Sequence, residues 1–327
     1  MSHEIKTATI KPIRNTYLTT EQRFGDKPAS RYQEASFDIQ SVENFHYRPV
    51  WQPQFEINDA NRTAIKMKDW YALKDPRQFY YATYVTHRAK LQENAENSYA
   101  FFEKRKLGTM LSDEVRDRLI NFVIPFRHLE QAANLNNMYG TAYGYGTVMA
   151  QAMCFEAMDR LGIAQYLSRI GLILDGNSGE SLDQAKQQWM QAPGWQGVRA
   201  LCEEMLVTED WFELFVAQNI VVDSLVGSVL YTQFDEWLTD HQAHDVTMLL
   251  EFMQEWKKDR TRWIDSVIKT VVRESDHNKL LVADWSTQWH EKARAALQPV
   301  AEKLVGNTAL DMASEELNKN LIKAGIN

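Results

Sequence analysis

The chain is predicted to be an all-α protein: a bundle of long helices preceded by an extended N-terminal arm over residues 1–70. Three observations lead there. Only eight prolines and fourteen glycines punctuate 327 residues, and half of those prolines fall in the first 53 positions. Apolar residues recur at helical spacing, as in Val246, Leu249, Leu250 and Met253 at i, i+3, i+4 and i+7, with Trp256 extending the stripe. No alternating strand pattern, fixed-period repeat or low-complexity block is visible. Few breakers beyond the arm leave room for helices too long for a small domain, and long antiparallel helices in pairs imply a bundle.

The arm differs in character from the rest of the chain. NFHYRPVWQPQFEINDANR is aromatic and proline-bearing, with no 3.6-residue period. Left exposed, Phe45, Tyr47, Trp51 and Phe55 would be poorly soluble, so the arm is expected to pack on its own domain or on a partner chain. The helical domain is assigned to residues 71–327. Its first helix opens at Asp75-Pro76, an Asp N-cap with Pro at the first helical position, and runs to Gly108. A second opens at Ser112, with Glu114 close behind, and continues past Pro125 to Gly140. TAYGYGTVMAQAMCFEAMDRLG comes next, rich in Gly and Ala, whose small side chains let two helices approach closely. SLDQAKQQWMQAPGWQGVRALCEEMLV supplies two shorter helices broken at Pro193-Gly194. Two long runs follow, TEDWFELFVAQNIVVDSLVGSVLYTQFDEWLTD and HDVTMLLEFMQEWKKDRTRWIDSVIKTVVRE. NKLLVADWSTQWHEKARAALQPVAEKL and a short C-terminal helix complete the set.

Composition excludes several functions. A net charge of -8 argues against a nucleic-acid surface, which needs clustered Lys and Arg. No stretch reaches ~18 uninterrupted apolar residues, so no membrane span is expected; the richest candidate, NIVVDSLVGSVLY, is cut by Asp223. The first residues lack a signal-type apolar core, and the two cysteines, Cys154 and Cys202, suit a reducing compartment, so the expected location is cytoplasmic. Cys154 lies in an apolar helical run and reads as core. There is no nucleophile elbow, no P-loop and no dinucleotide fingerprint; Gly144 and Gly146 lack both a third glycine and a preceding strand.

A long helical bundle raises the question of a di-iron site, which takes a Glu from each of two helices and Glu-x-x-His from each of two others. The i, i+3 spacing places Glu and His on one helix face, so it is a sharp test. Glu43-x-x-His46 falls in the non-helical arm, and Glu274-x-x-His277 at a polar helix end. His128 has Pro125 three residues before it, and proline offers no ligand. His241-x-x-His244, flanked by Asp240 and Asp245, offers a surface ion site or, more simply, a polar turn with Asp245 as N-cap. Asp223 interrupts an apolar helix on a face shared with Asn219, Val226 and Gly227 and is expected to be paired, because an unpaired core carboxylate is costly. No catalytic, cofactor-binding or metal residue is assigned to this chain.

DPRQFYYATY, FRHLEQAANLNNMYG and APGWQGVRALCEEMLVTEDWFELFVAQNIVVDSL resemble the β subunits of bacterial multicomponent (soluble di-iron) monooxygenases, most closely the phenol hydroxylase type. The segment from Ala192 to Asp223 is the most specific, and toluene and o-xylene monooxygenase β subunits share it. The resemblance implies a ferritin-like fold and an (αβγ)2 hydroxylase, with α and γ subunits as partners and the di-iron centre in α. It also implies a regulatory protein and a reductase as further partners, and no cofactor in this chain. It places His128 and Pro125 where a ligand His and Glu would sit, Asp223 near another ligand Glu, and Glu255 and Lys258 in the region of the second Glu-x-x-His. A cation at Lys258 and a proline at Pro125 would leave that scaffold without its metal site. The alternatives are a β subunit of a toluene or o-xylene monooxygenase, or a ferritin-like oxidase with an atypical site built from His128, Asp223, Glu255 and nearby groups.

Overall fold

A computed structural model describes residues 16–41 and 48–326, and among these every regular element is helical. Glu43, Phe45, His46 and Tyr47 of the arm lie outside the described residues. Two short helices come first among the described residues, α1 (Leu18–Phe24) and α2 (Arg31–Ser36). Ser30 caps α2 with a full capping box to Gln33. Part of the arm is therefore helical where extended chain was expected.

The end of the arm is fastened to the chain's own helices. The Lys66 N–H donates to Asn278 Oδ1 at 3.0 Å, and Asn278 Nδ2 returns a bond to the Lys66 carbonyl at 2.7 Å. The Lys68 N–H donates to Glu274 at 2.9 Å, and His277 Nε2 lies 3.2 Å from the Ala64 carbonyl. Glu274 and His277 thus hold backbone. Ile65 and Leu73 are fully buried and Trp70 nearly so, whereas Val50 and Trp51 stay exposed.

The long helices are α3 (Tyr81–Lys104), α4 (113–143), α5 (Thr147–Leu174), α8 (Trp211–Asp240), α9 (His244–Glu274) and α10 (Asp276–Leu304). The shorter α6 (Glu180–Gln191) and α7 (Pro193–Leu206) intervene, and α11 (Ala309–Ala324) follows α10. Pro193 occupies the first position of α7, where its missing N–H costs nothing. α3 begins six residues later than Asp75. Asp75 is held by the Arg77 side chain and backbone N–H, and Gln78 takes a left-handed φ of 54° that turns the chain before the helix starts. Likewise Ala243, not Asp245, precedes the first residue of α9.

α4 and α5 form a close antiparallel hairpin. A Cβ on Gly140 would meet Met153 Cε at 2.0 Å, and the turn needs Gly146 at φ +87°. α8 is the one described helix long and apolar enough to cross a membrane, but 94% of its apolar window is buried inside the protein. Tyr99 ties α3 across the bundle, donating to the Leu249 carbonyl at 3.1 Å and the Tyr166 carbonyl at 3.3 Å.

Candidate functional site

Where α4, α5, α8 and α9 face one another, the core holds charge. Glu130 comes from α4, Glu156 and Arg160 from α5, Asp223 from α8 and Arg260 from α9, all buried. Glu156 and Arg160 share a face of α5 because they are one turn apart. Arg160 donates to Glu130 at 3.1 Å, to Glu156 at 3.0 Å and to Asp223. Arg260 donates to Glu156 and to Asp223, each at 2.8 Å, and to the side chain and carbonyl of Asn219. The indole of Trp256 lies against both guanidiniums, 4.5 Å from Arg160 Cζ and 5.1 Å from Arg260 Cζ.

Amide side chains complete the shell. Gln218 donates to Asp223 at 2.9 Å and accepts from Asn136, while Asn219 donates to Asn137. The Gln218–Asp223 spacing of five residues is possible because α8 takes a π-turn over Val216–Val222. Helix α4 has a similar π-turn, Leu119–Val123, just before Pro125. Proline at 125 cannot donate to the Asn121 carbonyl; the Trp195 indole N–H fills that role at 3.0 Å.

A second ion cluster lies beside the first. Arg88 of α3 grips Asp159 of α5 through two bonds of 2.8 and 2.7 Å, Tyr84 adds a third at 2.8 Å, and Arg88 also meets Asp259 of α9 at 3.1 Å.

Burial and charge set the protonation of these groups. Burial raises the Glu130 carboxyl to about 7, helped by Asp223 and Glu156 and opposed by Arg160. Burial also raises Asp159 to about 6 despite Arg88. For Glu156 burial pushes upward too, but Arg260 and Arg160 overcome it and hold the carboxyl below its ordinary value. Three carboxylates against two guanidiniums leave the central cluster one negative charge in excess, which protonation of Glu130 cancels.

The residues singled out in sequence do not assemble. His128 stacks on Trp189 of α6 at a centroid distance of 5.3 Å, and burial beside Arg127 and Lys186 lowers it to about 4. Glu255 pairs with Lys258 at 3.5 Å on the exposed side of α9, so the core position of that helix belongs to Arg260. His241 is exposed, its Nδ1 2.8 Å from the Trp237 carbonyl and its ring stacked on that indole. Only Asp223 reaches the centre, and there it is paired. Sequence reasoning missed Glu130, Glu156, Arg160 and Arg260. For Glu156 and Arg160 the signal was present in CFEAMDRLG, where three charges interrupt an otherwise apolar helix.

This donor set does not fit a carboxylate-bridged di-iron centre. Such a centre needs four carboxylates and two imidazoles, whereas the bundle centre presents three carboxylates, no imidazole among the described residues, and two guanidiniums between them. Two fixed cations stand where a metal's positive charge would be needed.

Residues 51–275 match the methane/phenol/alkene hydroxylase family. The chain belongs to that family. It is 54% identical to the phenol 2-monooxygenase oxygenase component MhpL of Acinetobacter pittii (strain PHEA-2), over 100% of this chain and 98% of the relative. It is 50% identical to the corresponding DmpL component of Pseudomonas sp. (strain CF600), with the same coverage. The crystal structure of xenon-pressurized phenol hydroxylase from Pseudomonas sp. OX1 superposes with a TM-score of 0.94 at 47% identity, covering 98% of each chain. The helical, ferritin-like bundle expected from sequence is thereby established.

Proposed function

We propose that this chain is the non-catalytic β-type subunit of an (αβγ)2 phenol hydroxylase. It supports assembly and α-subunit dimerisation, while the di-iron centre resides in α. The complex draws electrons through a reductase, works with a regulatory protein, and hydroxylates an aromatic ring with dioxygen in the cytoplasm. The observation that carries this reading is the guanidinium-filled bundle centre: each buried carboxylate there is already engaged by Arg160 or Arg260. The two full-length phenol 2-monooxygenase relatives favour a phenol system over a toluene or o-xylene one. An oxidase with its own site from His128, Asp223 and Glu255 finds no support, because Asp223 lies at the bundle centre while His128 packs on Trp189 and Glu255 is exposed beside Lys258.

Iron content after loading the purified, folded chain with ferrous iron tests this. The expected value is near zero per polypeptide. About two irons per chain, the complement of a carboxylate-bridged bundle site, would overturn the proposal.

A further inference from the structure

A narrow cleft between α8, α9 and α11 leads from solvent to the charged centre. Asp223 and Arg260 line its buried end, Ile264 and Leu317 its walls, and the partly exposed Lys257 and Glu316 its outer end. Its volume is about 70 Å³. A cavity takes a water for each ~10–15 Å³, whereas one of roughly 150 Å³ takes a benzene, so this cleft has room for several waters and for no aromatic ring.

Behind the buried end lie polar atoms that the protein itself does not satisfy. Glu156 Oε2, Arg160 Nε and the Trp256 indole Nε1 are buried with no hydrogen-bond partner in the chain. All three belong to the cluster or lie on it, Trp256 through its contact with both guanidiniums. Buried polar groups are almost always hydrogen-bonded, and ordered water serves where protein does not. The chemistry of the set selects water. One acceptor and two donors suit a molecule that can both donate and accept, whereas an anion would meet Glu156 and a cation would meet the two arginines.

The outer end is strapped. Lys257 Nζ donates to Thr232 Oγ1 of α8 at 3.2 Å and lies 3.7 Å from Glu316 of α11, so one side chain of α9 ties the three helices that form the cleft. Gly227 of α8 makes room for it: a Cβ there would meet Lys257 Cδ and Cε at 3.2 Å. Glycine is unfavourable in mid-helix, and here it lets the lysine stem lie flat across α8.

We propose that this cleft is a water-filled inlet to the bundle centre, strapped by Lys257 and Glu316, through which the charge cluster exchanges protons with solvent while the bundle stays folded. The groups facing such a proton are Glu130 from α4, Glu156 and Arg160 from α5, Asp223 from α8 and Arg260 from α9. Lys257, Asp265 and Glu316 stand nearer the mouth. Inward transfer breaks one O–H bond of a hydronium and forms one on a carboxylate, with waters between; nothing is oxidised or reduced.

The test is hydrogen–deuterium exchange of indole N–H groups in the folded full chain, followed by nuclear magnetic resonance and assigned with single Trp→Phe variants. The molecule supplies its own comparators. The indoles of Trp211, Trp256 and Trp263 are all buried without a protein partner, and of the three only Trp256 lies on the cluster's guanidiniums. Trp256 is expected to exchange at least tenfold faster than the other two. Thr261→Phe, at an exposed position lining the cleft, fills the outer end and is expected to slow Trp256 at least tenfold. Lys257→Met releases the strap and is expected to speed it severalfold. Equal rates for the three indoles would mean access only by unfolding and would overturn the inference, as would an unchanged Trp256 rate in folded Thr261→Phe. A Lys257→Met rate equal to wild type would overturn the strap.

Discussion

Replacing Glu130 with glutamine should change how stability depends on pH. Glu130 is fully buried, accepts from Arg160 at 3.1 Å, and carries the excess negative charge of the central cluster. Its ordinary value of 4.5 rises to about 7 in the folded chain. Below pH 4.5 folded and unfolded chains both hold the proton. Between there and about 7 only the folded chain does, so stability falls as pH rises; above about 7 the loss is complete. At ~1.36 kcal/mol per pH unit that gap amounts to about 3 kcal/mol. An unfolding entropy of ~2.1 cal/mol/K per residue converts this to about 4 °C in melting temperature for a chain of this length. Asp159, raised in the same direction, adds to the slope of the wild type. Glutamine mimics the protonated acid and keeps an oxygen for Arg160. Thermal melts of wild type and Glu130→Gln between pH 5 and 8 should therefore diverge, the variant gaining on the wild type by about 4 °C at the alkaline end. Parallel curves would mean that Glu130 is ionised in both states across that range, and would refute the protonation assigned to it.

Arg160→Met should be far more damaging, because it leaves Glu130, Glu156 and Asp223 around Arg260 alone. Breaking a buried pair costs ~3–5 kcal/mol, which the urea midpoint at unchanged m-value would report. Two glycine substitutions should act in opposite directions. Gly144→Ala puts a Cβ 2.4 Å from the Gly140 carbonyl oxygen and should lower the melting temperature, whereas Gly162→Ala meets nothing and should stabilise the isolated chain by up to ~1 kcal/mol.

The long helices were legible because their signals are local. Ser112 does cap its helix, and Pro193 does stand at the first position of the next. The start of α3 was misplaced because Asp75 spends its side chain on Arg77, a local competition that spacing does not reveal. The bundle centre was misread for a different reason. A search built on histidine follows His128 and His277, and both are drawn to other partners. Arg260 sits in KKDRTRW, one of five charges in seven residues, and only its place four residues beyond Trp256 on the apolar stripe picks it out as the one that turns inward. The π-turns add a further difficulty. They bring Gln218 to Asp223 across five residues, a spacing that a 3.6-residue wheel places on different faces.

The central cluster also bears on biosynthesis. A bundle whose centre is cross-linked by a metal completes its fold only when the ion is delivered, and a chelator can undo it. Here the cross-links are Arg160 and Arg260, which leave the ribosome already attached to the helices they join. On the function proposed above, the chain should therefore reach its final form under iron starvation.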